Sequence, residues 1–289
     1  MLGLSARRPL PRWRRDRFVP AANVVGPPDG PEVALFADTF NRTFERENLD
    51  AALAVLTGAG WRVHLPKPAD GTRPLCCGRT FLAAGLVAEA RREAERSLAV
   101  LAPFAARGVP VIGLEPSCLL TFRDEIPALL PGEPARSVAG AALLIEEFIA
   151  REAAAGRFAL DLAPIAPRAL LHGHCHQKSF GAMGAVEQSL RLIPDLAVET
   201  VETSCCGMAG AFGYQAETFE VSRAMAELSL LPAVRQAAPD TLIVADGTSC
   251  RQQIADGAGR PSLHVARLLA ASAAAAAAGG CEGPRPRTQ

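Results

Sequence analysis

Twice along the chain a short apolar run ends at a cysteine-bearing loop and passes into a helical pattern. This repeat limits the possible folds more than any other feature. One copy centres on Thr203-Ser204-Cys205-Cys206-Gly207-Met208-Ala209-Gly210, flanked by Cys175 in Gly173-His174-Cys175-His176 and by Cys250 in Gly247-Thr248-Ser249-Cys250. The other has Cys76-Cys77-Gly78 followed by Pro116-Ser117-Cys118. Short runs of apolar residues alternating with helical spacing indicate parallel strands with covering helices. The expected class is therefore α/β, with two tandem duplicated strand–helix halves. In such sheets ligands bind beyond the C-terminal ends of the strands, where these cysteine loops fall.

In the first half, strands are expected at Val33-Ala34-Leu35-Phe36, Trp61-Arg62-Val63-His64-Leu65 and Val109-Pro110-Val111-Ile112-Gly113-Leu114, with helices over 47–57 and from Gly78 to about Ala106. In the second half, strands are expected over 168–173, 196–201 and 241–246, with helices over 181–192 and 217–230. The domain reading is a basic, proline-rich linker or tail over 1–31, a first half over 32–123 and a helical connector over 124–166. A second half follows over 167–270, then a low-complexity tail over 271–289. Within the connector, Ala139 to Ile149 reads as one apolar helix. Aligning the halves on their paired cysteines puts Cys118 and Cys250 in corresponding places. Asp38 stands where a counterpart of Cys175 is expected, so the first set lacks one thiol.

Eight cysteines in a chain of 289 residues with no apolar leader argue for a reducing cytosol and metal-bound thiolates, not a disulfide framework. Ser5-Ala6-Arg7-Arg8 resembles the start of a twin-arginine signal, but Pro-Leu-Pro-Arg-Trp-Arg-Arg follows in place of an apolar segment. A formal net charge of zero and 5% aromatic residues give no field or stacking surface for nucleic acid. No run of 18 apolar residues is present to span a bilayer as a helix.

Four thiolates converging from three loops can hold an iron–sulfur cluster or zinc, both of which favour soft ligands. The adjacent pair suits a cluster better than a zinc knuckle, whose ligands are usually spaced by two residues or more. The candidate metal ligands are Cys175, Cys205, Cys206 and Cys250, with Cys76, Cys77 and Cys118 as an incomplete second set. His172, His174 and His176 alternate around Cys175. The latter two are expected beside the ligands, hydrogen-bonding or tuning them, though a mixed Cys/His zinc site stays open. Asp38 is either a weak oxygen ligand or a capping carboxylate, and Cys281 is read as an unligated thiol. No catalytic triad, paired catalytic carboxylates, phosphate loop or dinucleotide fingerprint is found.

On these residues the chain resembles the cysteine-rich (CCG) domain family over about residues 31–270. Members include the iron–sulfur subunits of glycolate oxidase and anaerobic glycerol-3-phosphate dehydrogenase, and a heterodisulfide reductase subunit. His174-Cys175-His176-Gln177-Lys178, Ser204-Cys205-Cys206-Gly207-Met208-Ala209-Gly210 and Thr248-Ser249-Cys250-Arg251-Gln252 are most similar to the C-terminal tail of fused FAD-linked oxidases of the D-lactate dehydrogenase type. The chain begins in what looks like the linker into that tail. Cys118 and Cys250 each stand alone where the family motif often ends in Cys-x-x-Cys.

The resemblance implies an iron–sulfur component, of the four-iron type, of a flavin-dependent lactate- or glycolate-type 2-hydroxyacid dehydrogenase. FAD would be carried only by a partner subunit or domain, and a quinone or another acceptor would take the electrons. Such a component of an oxidoreductase is not expected to be catalytic without that partner. It is expected in the cytoplasm, at the inner face of the membrane only through a partner. The alternatives are a zinc-binding or metal-free scaffold module and a heterodisulfide-reductase-like thiol/disulfide subunit.

Overall fold

The computed structural model describes residues 3–68, 71 and 73–279; Cys281 lies outside them. Eight strands form two sheets: β1 (Val24–Val25), β2 (Glu32–Phe36), β3 (Arg62–His64), β4 (Val111–Gly113), β5 (Ala142–Leu144), β6 (Arg168–Leu171), β7 (Ala197–Thr200) and β8 (Leu242–Val244). The first sheet runs β1-β3-β2-β4-β5 and the second β7-β6-β8. Every pairing is parallel except that of β1 with β3. The α/β class and parallel sheets expected from the sequence are present. In each half the first strand lies centrally, the second on one side and the third on the other, so β3-β2-β4 and β7-β6-β8 repeat one topology. A parallel bridge from Val244 to Leu263 even reproduces, as a single residue, the place of β5 beside β4.

The halves share their hydrophobic core. Helix Val265–Gly279 at the end of the second half packs along Arg46–Gly58 of the first, and Ile145–Ala154 of the first packs along Met183–Leu190 of the second. One apolar cluster therefore joins Leu49, Leu56, Phe148, Val186, Leu190 and Leu269 with the inward residues of β2 and β6. Burying such side chains stabilises by about 1.5–3 kcal/mol each.

Three expectations change. The segment from Ala139 to Ile149 is not one helix. Glu133–Ala141 stops at β5, and Leu144, extended at ψ 150°, starts the helix Ile145–Ala154 with its N–H donated to Glu147 Oε2. A short apolar run has the same composition as a buried helix turn, and here the open edge beside β4 claims it as strand. The alanine tract after Leu269 continues the helix Val265–Gly279, as alanine's helix propensity favours, and Ser272 Oγ ties it to the Ala163 carbonyl. The basic leader also packs on the body. Phe18 and Arg8 are buried, β1 pairs with β3, and Ser5 N donates to the Tyr214 carbonyl. Among the described residues, no helix is long and apolar enough to cross a membrane.

Candidate metal centre

Each functional loop of the second half is set by how a strand ends. After β6, His174 caps the helix Cys175–Ser179: its Nδ1 accepts from His176 N at 3.1 Å, and its own N–H goes to Gln177 Oε1 at 3.0 Å. This presents Cys175 as the first helical residue, exposed to solvent. After β7 the chain turns through Cys205-Cys206-Gly207. Gly207 takes φ +85° and donates its N–H to Cys205 Sγ at 3.3 Å. After β8, Cys250 rides on the first turn of the helix Thr248–Ala258 and is buried.

The four thiols form a continuous series in which each shifts its neighbour's protonation, Cys175 acting on Cys205, Cys205 on Cys206 and Cys206 on Cys250. These effects alternate along the series. Cys175 and Cys206 pull Cys205 down, and Cys206 pulls Cys250 well down, which favours the thiolate form at both. Cys205 and desolvation push Cys175 and Cys206 up. Burial, then His174 and Arg79, lowers His176 to about 4. Lys178 Nζ donates to Thr203 O, Thr203 Oγ1 and Ser204 O, which pins the loop before the paired cysteines and holds a cation near the thiols.

Two groups of close donors occur here. A ring nitrogen of His172 with Cys206 and Cys250 sulfurs forms one; His174, Cys175 and His176 form the other, each within 4.8 Å. His172 is buried, and its Nε2 has no hydrogen-bond partner among the described residues. A buried orphan nitrogen beside the two buried thiols of Cys206 and Cys250 fits a soft metal or an iron–sulfur cluster.

The first half builds the same backbone and fills it differently. Gly78 matches Gly207, with φ +82° and an N–H to Cys76 Sγ at 3.5 Å. Cys77 hydrogen-bonds to both Cys76 and Cys118. Asp38 is not the counterpart of Cys175. It caps the helix Thr39–Thr43 as His174 caps its own, accepting from Phe40 N and Asn41 N at 3.0 Å and from Asn41 Nδ2 at 2.7 Å. Counting from the caps, Thr39 takes the place of Cys175 and hydrogen-bonds Cys76, while Phe36 takes the place of His172. The paired cysteines misled this alignment because the chain between the first loop and the pair is longer in the first half.

All three first-half thiols are pushed up: Cys76 by its bond to Cys77 and by burial, Cys77 by its bond to Cys118. Cys118, drawn down by Cys77, is still carried to about 12 by burial and the carboxylates of Asp38 and Glu115. Among the described residues, Cys76, Cys77 and Cys118 belong to no group of three ligand atoms within 4.8 Å.

A cleft of about 450 Å³ opens beside the second set, with Cys175, Cys205 and Cys206 in its lining. Phe40, Arg79 and Ala83 from the first half share its lining with His176 and Ala211. Arg79 Nη2 contacts His176 Nε2 at 3.1 Å, so the two halves meet at the rim. Glu115 reaches across to accept from Thr248 N at 2.8 Å, and Glu45 receives Arg251 and Thr248 Oγ1. These crossing carboxylates and the Lys178–Thr203–His172 series were not found by sequence reasoning. The adjacency of Lys178 to the His-Cys-His run was the one available signal.

No protein-family model matches the chain. It is 28% identical over 196 residues to a component of the anaerobic glycerol-3-phosphate dehydrogenase of Escherichia coli, covering 68% of this chain and 48% of the relative. It is 28% identical over 229 residues to D-2-hydroxyglutarate dehydrogenase of Pseudomonas putida, covering 77% of this chain and 20% of that protein. The E. coli D-2-hydroxyglutarate dehydrogenase is 29% identical over 184 residues, 62% of this chain and 17% of the relative. The chain thus spans about half the length of the first relative and about a fifth of the others. Its similarity is to one separate component of the first dehydrogenase and to a stretch of the second.

Proposed function

We propose that this chain is the iron–sulfur component of a flavin-dependent dehydrogenase acting on a 2-hydroxy acid, of the CCG-domain type. The observation that carries the reading is the series Cys175–Cys205–Cys206–Cys250, drawn from three strand-end loops and open at one end to a cleft. Those four residues would hold the cluster, which when bound supplies one-electron redox chemistry. The remaining residues prepare that place. Gly207 N–H and Lys178 favour thiolate sulfur, the crossing carboxylates fix the loop before Cys250, and Ala209 and Ala211 add apolar lining to the cleft. The names of the D-2-hydroxyglutarate dehydrogenases support a 2-hydroxy acid, with D-2-hydroxyglutarate joining lactate and glycolate as substrates to try, and the first relative's name adds glycerol-3-phosphate.

Removing a hydride equivalent from a 2-hydroxy acid requires a two-electron acceptor such as a flavin. The sequence carries no flavin or nicotinamide fingerprint, so the reading assigns that step to a flavin-bearing partner subunit or domain, and the onward electrons to a quinone or another acceptor. Anaerobically purified protein is expected to contain iron and inorganic sulfide and to absorb broadly in the visible. Dye reduction with a 2-hydroxy acid is expected only when the flavin partner is added. Zinc near one equivalent without sulfide, or turnover by the flavin-free chain alone, overturns the proposal.

A further inference from the structure

His172 is the residue at this site whose part the thiol series leaves unexplained. It is buried at the end of β6 and lies within 4.8 Å of the Cys206 and Cys250 sulfurs through a ring nitrogen. Its two nitrogens are in different surroundings. Nδ1 lies 2.9 Å from Thr203 Oγ1; Nε2 is buried without a hydrogen-bond partner among the described residues.

The neighbours fix which nitrogen carries the proton. Lys178 Nζ has only hydrogens to give, and it gives one to Thr203 Oγ1 at 2.8 Å. Thr203 Oγ1 accepts that hydrogen and has one of its own to place. Among the described residues the acceptor within reach is His172 Nδ1. With the hydroxyl donating to Nδ1, that nitrogen is bare and the ring's hydrogen sits on Nε2, the arrangement the inference below takes up. A buried N–H without a partner costs about 1–3 kcal/mol, and the polar atoms left for it are the two thiol sulfurs.

We infer that His172 is a positioning residue that donates its Nε2–H to the sulfurs of Cys250 and Cys206, and is not itself a ligand. The inference rests on the iron–sulfur reading above for its consequence. Hydrogen bonds to ligand sulfur draw electron density away from the metal and raise its reduction potential. The first half supplies the contrast. Its equivalent position holds Phe36, packed edge-on against Phe122, and the position matching Thr203 is Pro74, so neither the ring donor nor the hydroxyl that orients it exists there.

The test compares the full chain with His172→Phe, which copies the first half, and with Thr203→Val, which keeps the shape of the side chain and removes only the orienting hydroxyl. Iron, sulfide and reduction potential are measured on anaerobically purified protein. Histidine tautomers are read by nitrogen-15 NMR on metal-free, thiol-reduced protein. Both variants are expected to retain iron and sulfide at the unsubstituted level and to titrate at a more negative potential, His172→Phe by the larger shift. The NMR spectrum is expected to show His172 protonated at Nε2.

Loss of iron in His172→Phe as complete as in Cys206→Ser makes His172 a ligand and overturns the inference. Unchanged potentials overturn it as well, as does a proton on Nδ1. Unsubstituted protein without iron and sulfide refutes the cluster reading instead, and the tautomer then decides the hydrogen-bond assignment by itself.

Discussion

Gly207→Ala separates two ways in which the paired-cysteine turn depends on glycine. At φ +85° any residue with a Cβ is strained, by about 1–2 kcal/mol for a left-handed conformation. A Cβ at this position would also lie 2.3 Å from the carbonyl oxygen of Ser222, well inside the 3.0 Å that real Cβ atoms keep. That oxygen belongs to the backbone of the helix Phe219–Glu227 and cannot swing aside like a flexible side chain. Forcing extra volume into such a contact costs a further 1–3 kcal/mol or so. Gly210→Ala, three residues on, is the internal control. Its φ is +64°, and a Cβ there would have nothing within 4 Å. The expected losses of unfolding free energy are therefore roughly 2–5 kcal/mol for Gly207→Ala and about 1–2 kcal/mol for Gly210→Ala. Urea titration followed by circular dichroism measures both. Since Gly207 N–H also bonds Cys205 Sγ, metal content is expected to fall only in the first variant. Equal losses in the two variants would refute the claim that helix contact fixes the turn.

Cys206→Ser is expected to lose most of the bound iron while Cys77→Ser loses little, as measured by iron and sulfide assay, because only the second set is complete; equal losses would place both halves in metal binding. Arg8→Ala removes a buried guanidinium that donates to Gln253 Oε1 at 2.6 Å and lies 3.6 Å from Asp256, so a loss of about 1–3 kcal/mol in urea titration is expected, with Arg8→Lys recovering part of it. Burial, then Glu115, raises Asp38 from 3.8 to about 6, so the native state binds the proton more tightly than the unfolded chain. Its contribution therefore favours folding below about pH 4 and is lost as pH rises through 6, by about 3 kcal/mol in all. Asp38→Asn is expected to flatten that part of the stability–pH curve, and an unchanged slope would show that Asp38 does not carry it.

Most of the fold was legible because strand and helix differ in period. Val33 to Phe36 and Leu170-Leu171 are runs too short for helices and too apolar for loops, and the glycines after the helices mark their ends. The cysteine loops were legible for the same reason, since strand ends are where an open sheet leaves room. What was not legible depends on distances between segments far apart in sequence. The strand Ala142–Leu144 has a helix's composition and takes its form from the edge of β4. Arg8 reads as one more charge in a basic leader. Only the folded chain brings it against Met208 and Gln253, behind the Cys206 loop. Thr39 was hidden by aligning the halves on cysteines and not on the caps of their helices.

The substitutions that separate the halves act together. Thr39 stands where the second half has the Cys175 thiol, Phe36 where it has the His172 imidazole and Pro74 where it has the Thr203 hydroxyl, so the proposed ligand, sulfur donor and orienting group all lack counterparts in the first half. Each change makes the first pocket less able to stabilise thiolates, and its three thiols all stand above their ordinary range. The same half meanwhile extends Glu45 and Glu115 to Arg251 and Thr248, the residues flanking Cys250, and supplies the Leu114 carbonyl that accepts from His264 Nε2. Its helix Arg46–Gly58 carries the helix that ends the second half. Removing the first half would strip Arg251 and the Thr248 N–H of these carboxylate partners, so the helix start that carries Cys250 would lose the contacts that fix it. On the proposed reading the duplication gives one half the chemistry and the other the frame.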